Sequence, residues 1–280
     1  MLQQRKGPAF WLLTAFFCLF VLFLYGPTIT IVILSFQGPQ GGLTFPMRGV
    51  SLHWFGNLFE KQMVGDFAGS FQRSIALGLA TMVVTVLASF AAGLAFRSRF
   101  RGSGIVFYLA IASLIVPSIL ISLGIGLLFR VIGIDTAWYS SAFGAHLTWT
   151  LPFGLLIMFA VFNRFDRRYE EAARDLGATS WQTIRHVVIP ILLPSLIGVG
   201  LFGFTLSYDE FARSLYTSGT FNTLPLEIYG MTTNVTTPVL YALGTVTTGL
   251  SFLVIALALV STIILRRRRE RLGNDAGKAA

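Results

Sequence analysis

The sequence predicts an all-α membrane protein with about six transmembrane helices, and two observations carry that prediction. Hydrophobic residues make up 54% of the 280-residue chain and charged residues only 12%, with a mean hydropathy of +0.72. Soluble domains carry about 25% charged residues. The second observation is six apolar runs, each long enough for the roughly 20 helical residues that a bilayer crossing needs.

The first run, Phe10–Leu34, is longer than the roughly 7–15 apolar residues of a signal-peptide core, and no small-x-small site follows it cleanly; it is expected to stay as a span. Cys18, the single cysteine, reads as a packing residue within it and excludes an internal disulfide. Between the first two runs, Gln37–Gln72 is rich in Gly and Pro and carries Trp54, Phe55, Phe59, Phe67 and Phe71. Such rings suit an interfacial belt or a short surface helix. The second run, Ser74–Phe96, contains no charge. Gly104–Phe129, Ala142–Phe162 and Ile189–Tyr208 follow, with Pro152, Pro190 and Pro194 expected to kink or start helices. Phe221–Val239 mixes Thr, Pro and Asn and is expected to re-enter the membrane or pack across its outer mouth. The last run is Ala242–Leu265. Ser89-x-x-x-Gly93 and Gly198-x-Gly200-x-x-Gly203 place small residues where helices could approach closely. The chain thus divides into an N-terminus (1–9), one membrane domain (10–265) with a polar loop at 163–188, and a basic tail (266–280).

Lys and Arg set the expected orientation, because they accumulate in cytoplasmic segments. With the N-terminus inside, inner segments hold sixteen of the 21 bases: Arg5, Lys6, Arg97, Arg99, Arg101, Arg164, Arg167, Arg168, Arg174, Arg185, Arg266–Arg269, Arg271 and Lys278. Outer segments hold five, Arg48, Lys61, Arg73, Arg130 and Arg213. Both termini are therefore expected in the cytoplasm. The acids divide evenly, six to a side, so the net charge of +9 follows from topology and does not point to nucleic acid. The Arg266–Arg269 run reads as a stop signal on anionic headgroups.

The polar loop has its own structural signals. Ala172, Ala173 and Leu176 share one helical face, with Glu170, Glu171 and Asp175 on the polar side. Gly177 suits a left-handed helix end. Thr179-Ser-Trp-Gln182 matches a capping box, and Trp181, Ile184 and Val188 follow at helical spacing before Pro190. The loop therefore reads as two short helices. A small Ala-Ala face buries too little apolar area to hold a bilayer but fits a groove on another protein.

These residues also carry a resemblance. Glu171, Ala172, Ala173 and Gly177, followed after nine residues by Val187, Ile189 and Pro190, resemble the EAA loop of ATP-binding-cassette importer permeases. Val187 and Ile189 stand where Ile and Leu are usual. The resemblance implies a type I importer transmembrane domain (MetI-like) in a bacterial inner membrane, with the loop seated in a groove of a separate ATPase subunit. Two ATPase copies, which use ATP and Mg, a second and different permease chain, and an extracytoplasmic solute-binding protein would complete the assembly. Glu171 and Gly177 would matter most for coupling. His146–Phe153 and Val116–Phe129 look like the fourth and third spans of such permeases. Ser207-Tyr-Asp-Glu-Phe211 and Asn222-Thr-Leu-Pro-Leu226 are similar to the second permease of the spermidine/putrescine subgroup, with Tyr208 and Glu210 in place of Phe and Asp. Related permeases carry other amines, opines or phosphonates.

Asp209 lies twenty residues beyond Ile189, about 30 Å along a helix and so near the outer end of the fifth span. An ionisable group at such a depth is costly unless it has a function or a partner. One reading lines the path of a cationic solute with Tyr208, Asp209, Glu210 and Phe211, whose rings attract ammonium groups. The other pairs the acids with Arg213, three and four residues on. Glu227 and Asp135 are outer acids that suit either a solute-binding protein or solvent.

Other functions lack the residues they need. His53, His146 and His186 match no zinc spacing. Gly273–Lys278 lacks the spacing and hydroxyl of a phosphate-binding loop. A stand-alone secondary transporter would need acids at mid-membrane, and a membrane enzyme a cluster of His, Asp or Glu at one depth. The chain reads as a transport subunit without chemistry or cofactor of its own.

Overall fold

The computed structural model describes residues 7–60, 65–98, 100–234 and 237–278; Arg5, Lys6, Lys61 and Arg99, used above for orientation, lie outside them. The helices are α1 (Pro8–Leu34), α2 (Phe67–Phe96), α3 (Ser103–Ala112), α4 (Ser118–Val131), α5 (Trp138–Asn163), α6 (Arg168–Asp175), α7 (Ser180–Tyr208), α8 (Leu224–Asn234) and α9 (Val239–Lys278). Five of them, α1, α2, α5, α7 and the first part of α9, are long and apolar enough to cross a membrane. Among the described residues there is no strand, only a bridge between Gln37 and Val50.

The third apolar run departs from expectation, because it forms α3 and α4 rather than one helix. Pro117 causes the break. It has no N–H to donate, and its ring disfavours helical geometry at Val116. At the break, Ser113 Oγ donates to Ala110 O (3.0 Å) and reaches Thr148 O (2.7 Å) on α5, the carbonyl that Pro152, four residues on, leaves without a helical donor.

The chain forms two compact units, Met1–Gly65 with Gly230–Leu250 and Asp66–Tyr229 with Ser251–Ala280. In the first, most α1 side chains stand exposed, Cys18 included, so that cysteine is not the packing residue the sequence suggested. The Gly- and Pro-rich stretch folds around Gln37, which is fully buried. Its Nε2 donates to Gly42 O (3.1 Å) and its Oε1 accepts from the Arg48 N–H (2.8 Å). The expected surface helix shrinks to one turn, His53–Gly56, with Trp54 buried.

The second unit is built on α2, α5 and α7. The buried face of α2 carries Ser70, Ser74, Gly78, Thr81, Thr85, Ser89 and Gly93, a row of small residues at three- and four-residue steps. Small residues let helix backbones approach and their hydroxyls bond across. Thr85 donates to Thr150 on α5 (2.8 Å), and Ser207 on α7 donates to Thr81 (3.3 Å). The approach is close at Gly93, where a Cβ would stand 2.6 Å from the Phe162 ring and 3.3 Å from Met158 Cβ. Met158, Phe162, Val188, Leu192, Leu196 and Val199 make the apolar core of this unit, against Val86, Phe90 and Leu94 of α2. Of the other glycines singled out in the sequence, Gly200 and Gly203 meet α2 side chains, whereas Gly198 has open space around it.

Candidate functional site

The loop after α5 is a helix–turn–helix whose second helix is already the next span. α6 covers Arg168–Asp175, with Glu170 and Glu171 in the first turn and Arg174 in the last, the arrangement that complements a helix dipole. Gly177 ends it with φ +84°, where an L side chain would be strained. The Gly177 N–H donates to Arg174 O (2.8 Å) and the Ala178 N–H to Ala173 O (3.0 Å), closing the helix end. Thr179 and Gln182 then form the expected capping box. The helix begun there runs on to Tyr208, through a π-helical stretch at Ile184–Val188.

Pro190 therefore does not start a helix. It lies inside α7, just past the π-helical turns. Those wider turns sit where a proline removes a hydrogen bond and crowds the carbonyl four residues back. The expected stripe also divides. Val188 is fully buried, Ile184 is half-buried, and Trp181 is 66% exposed. On α6, Ala172 and Glu171 are exposed, Ala173 is half-buried, and Leu176 is 90% exposed. Leu176 and Trp181 thus put large apolar side chains on the surface within one short turn.

Glu170, not Glu171, is the acid that the fold uses. Its carboxylate meets the Arg97 guanidinium in two parallel bonds, Nη1 to Oε1 at 2.6 Å and Nη2 to Oε2 at 3.1 Å, with side-chain exposures of only 14% and 12%. Arg97 follows the last residue of α2. Its guanidinium lies 5.3 Å from the ring centre of Phe162 and 5.4 Å from that of Phe165, and Arg167 Nη2 donates to its carbonyl (3.1 Å). Beside the pair is a polar cleft of about 260 Å³ lined also by Arg167, Glu171 and Arg174.

At the far end of α7 the four candidate path residues separate. Tyr208 is buried and stacks on Phe204 (5.7 Å between centroids). Phe211 packs on Tyr229 (4.9 Å). Asp209, which caps α7, is exposed, with no hydrogen bond or ion pair to its carboxylate among the described residues. Nearby atoms still crowd the carboxylate enough that desolvation raises its pKa. Glu210 turns back on the chain and accepts the Arg213 N–H (2.9 Å).

Arg213 forms no ion pair with either acid among the described residues. Its side chain is fully buried over the Trp149 ring (4.8 Å) and donates to Thr148 Oγ1 (2.5 Å), while Nε and Nη2 find no partner there. The i, i+3 and i, i+4 spacing presumed a helix, but the chain leaves α7 at Asp209 and turns inward. Hydroxyl groups hold it there. Ser122 donates to Arg213 O (3.0 Å), and Ser141 to Thr217 O (2.6 Å). His146, buried on α5, shares hydrogen bonds with Ser207 (2.8 Å) and Ser214 (2.9 Å). Glu227 is likewise an internal anchor. It accepts from the Asp66 N–H (3.0 Å) and Asn222 Nδ2 (2.8 Å), while Arg73 bonds Asp66 (3.0 Å) and Asn222 O (2.7 Å).

The chain is similar to known proteins over most of its length. The family model described as "Binding-protein-dependent transport system inner membrane component" matches residues 84–272. The spermidine/putrescine transport system permease protein PotC of Haemophilus influenzae is 32% identical over 262 residues, which span 93% of this chain and 99% of the relative. The putrescine transport system permease protein PotI of Escherichia coli K12 is 30% identical over 234 residues, 81% of this chain and 82% of the relative. A bacterial ABC transporter involved in the import of the acidic polysaccharide alginate shares the fold, with TM-score 0.61 at 17% identity over 97% of this chain and 99% of that one. The inward-facing MetNI methionine ABC transporter has TM-score 0.53 at 18% identity, over 70% and 95% of the two chains. The fold is thus the type I importer transmembrane domain that the EAA-like loop implied. The chain belongs to the family of binding-protein-dependent transport system inner membrane components.

Proposed function

We propose that this chain is the permease half of an ATP-driven importer of polyamines such as spermidine or putrescine, and that the α6–α7 loop docks a separate ATPase on the cytoplasmic side. One observation carries the docking reading: the loop is rigidly capped, yet holds Leu176 and Trp181 out of the fold. Ordering large apolar side chains on a surface costs free energy that burial against a partner returns. Glu171, Ala172, Ala173 and Gly177 lie on or beside that surface, and Pro190 shapes the helix that leads away from it. Both termini are cytoplasmic in this reading. A different permease chain and an extracytoplasmic solute-binding protein complete the transporter, and ATP and Mg act in the ATPase subunit.

Substrate class is supported by the named activity of the relatives and by local charge. Residues 209–213 carry two carboxylates and one guanidinium, and the guanidinium lies over the Trp149 ring. Asp209 thus offers an unpaired anion at the end of α7, two residues before Phe211, whose ring packs on Tyr229. An ammonium group is attracted by both kinds of neighbour.

Reconstitution tests the proposal. The chain, its ATPase, the second permease and the solute-binding protein in proteoliposomes should take up radiolabelled putrescine only with ATP. Glu171→Ala and Gly177→Val should reduce ATPase co-purification and uptake together. ATP-independent uptake, or full ATPase capture by both variants, would refute the docking reading. ATP-driven transport of an opine or phosphonate with no response to amines would refute the substrate.

A further inference from the structure

The ion pair between Arg97 and Glu170 joins the end of a membrane span to the loop that the proposed ATPase would grip. α6 packs chiefly against the first turns of α7. Apart from the short chain link to α5 and the single bond from Arg167 to the Arg97 carbonyl, movement of α6 would then reach the membrane helices through α7, were it not for this pair. Both partners are largely withdrawn from water, both carboxylate oxygens are engaged, and the guanidinium face is flanked by two rings. A planar fork bound at two points resists rotation as well as separation, which an ammonium group cannot do.

We infer that Arg97 is a positioning residue for energy coupling, fastening α6 through Glu170 to the end of α2, so that displacement of α6 by the ATPase drives α2 as well as α7. The inference rests on the docking reading above. α2 suits this role because its row of small residues lies directly on α5 and α7, and Gly93, one turn before Arg97, touches the Phe162 that also flanks the guanidinium. The two neighbouring acids divide the work. Glu171 is exposed toward the partner, and Glu170 is turned inward to the strut.

The test separates transmission from docking. In the assembled transporter, ATPase co-purification reports docking, and putrescine moved per ATP hydrolysed reports transmission. Glu170→Gln and Arg97→Gln should keep the ATPase bound and hydrolysing, while solute moved per ATP falls at least about fivefold, the lower end of ordinary coupling effects. Arg97→Lys, which keeps the charge and loses the fork, should fall in between. The exchange Arg97→Glu with Glu170→Arg should return coupling to within about twofold of the original, since a restored pair cancels the two single losses. If Arg97→Gln fails to fold, Arg97→Lys and Glu170→Gln decide the matter. Unchanged solute per ATP in these variants overturns the inference, as does a loss of uptake matched by loss of the ATPase. An original chain that captures no ATPase overturns the docking reading and this inference together. Capture with unchanged coupling overturns this inference alone.

Discussion

Replacing Gly93 by alanine adds one methyl group at a tight helix contact of the second unit. Its Cβ would lie 2.6 Å from Phe162 Cδ2 and Cε2 and 3.3 Å from Met158 Cβ. The ring cannot simply swing aside, because it is buried, packs on Phe90 (5.9 Å between centroids) and carries the Arg97 guanidinium on its face. Overpacking of this kind costs about 1–3 kcal/mol. Exchanging glycine for alanine within a helix returns about 0.5–1 kcal/mol of backbone entropy. Gly198, also within a span, supplies the comparison, since nothing lies within 4 Å of its would-be Cβ. Gly198→Ala should therefore hold or raise stability, and Gly93→Ala should lower it. A gap of about 2 kcal/mol corresponds to about 4–8 °C between thermal midpoints at this chain size. The assay is thermal unfolding of the detergent-solubilised proteins, read by loss of the monodisperse chromatographic peak. Equal midpoints for the two variants, or stabilisation by Gly93→Ala, would refute the packing argument.

Three further perturbations follow from the geometry. His146→Phe keeps a planar ring, somewhat larger, but removes the hydrogen bonds to Ser207 and Ser214; the thermal midpoint should fall by an amount equivalent to about 1–3 kcal/mol, and an unchanged midpoint would show that the network adds nothing. Thr179→Ala removes the cap on the turn before α7 and should cost about 1 kcal/mol, seen as faster amide exchange at 176–183 with the spans unaffected. Uniform exchange across both would count against a local cap. Asp209→Asn should raise the KM for putrescine about tenfold or more, the usual weight of a charge-assisted contact. Because desolvation raises the Asp209 pKa, its charge is lost on acidification sooner than for an ordinary carboxylate. Amine uptake should thus decline as pH falls through that raised value, and Asp209→Asn should lose this limb. Parallel pH profiles would remove Asp209 from the path.

Local signals in the sequence predicted local structure well. Thr179 with Gln182, and Gly177 after a short amphipathic run, set the ends of α6 and the start of α7 because capping depends on a few adjacent residues. Run length located the apolar helices for the same reason. The third run misled because composition is blind to one proline: Pro117 divides a stretch that is otherwise uniformly apolar. Periodicity placed Trp181 and Val188 on one stripe, but the π-helical stretch Ile184–Val188 shifts the register between them, leaving one exposed and the other buried.

What the sequence concealed is long-range. Arg97 and Glu170 are 73 residues apart, and Asp66 and Glu227 161. Nothing local marks Glu170 rather than Glu171 as the inward acid. The reading that pairs the acids with Arg213 depends on helical spacing that ends with α7. Of the Ser/Thr row of α2, only Ser89 with Gly93 stands out in the sequence; the row is a polar seam because Thr150 and Ser207 lie opposite it.

The central claim is that the α6–α7 turn is the surface an ATPase grips, and site-directed crosslinking tests it most directly. Cys18 is the single cysteine, so a Cys18→Ala background is free of thiols. Single cysteines in place of Leu176 and Trp181, 90% and 66% exposed, are predicted to crosslink to the ATPase subunit, whereas one in place of the fully buried Val188 is not. Failure at both loop positions, with crosslinking instead at an exposed site at the opposite end such as Tyr216→Cys, would contradict the account.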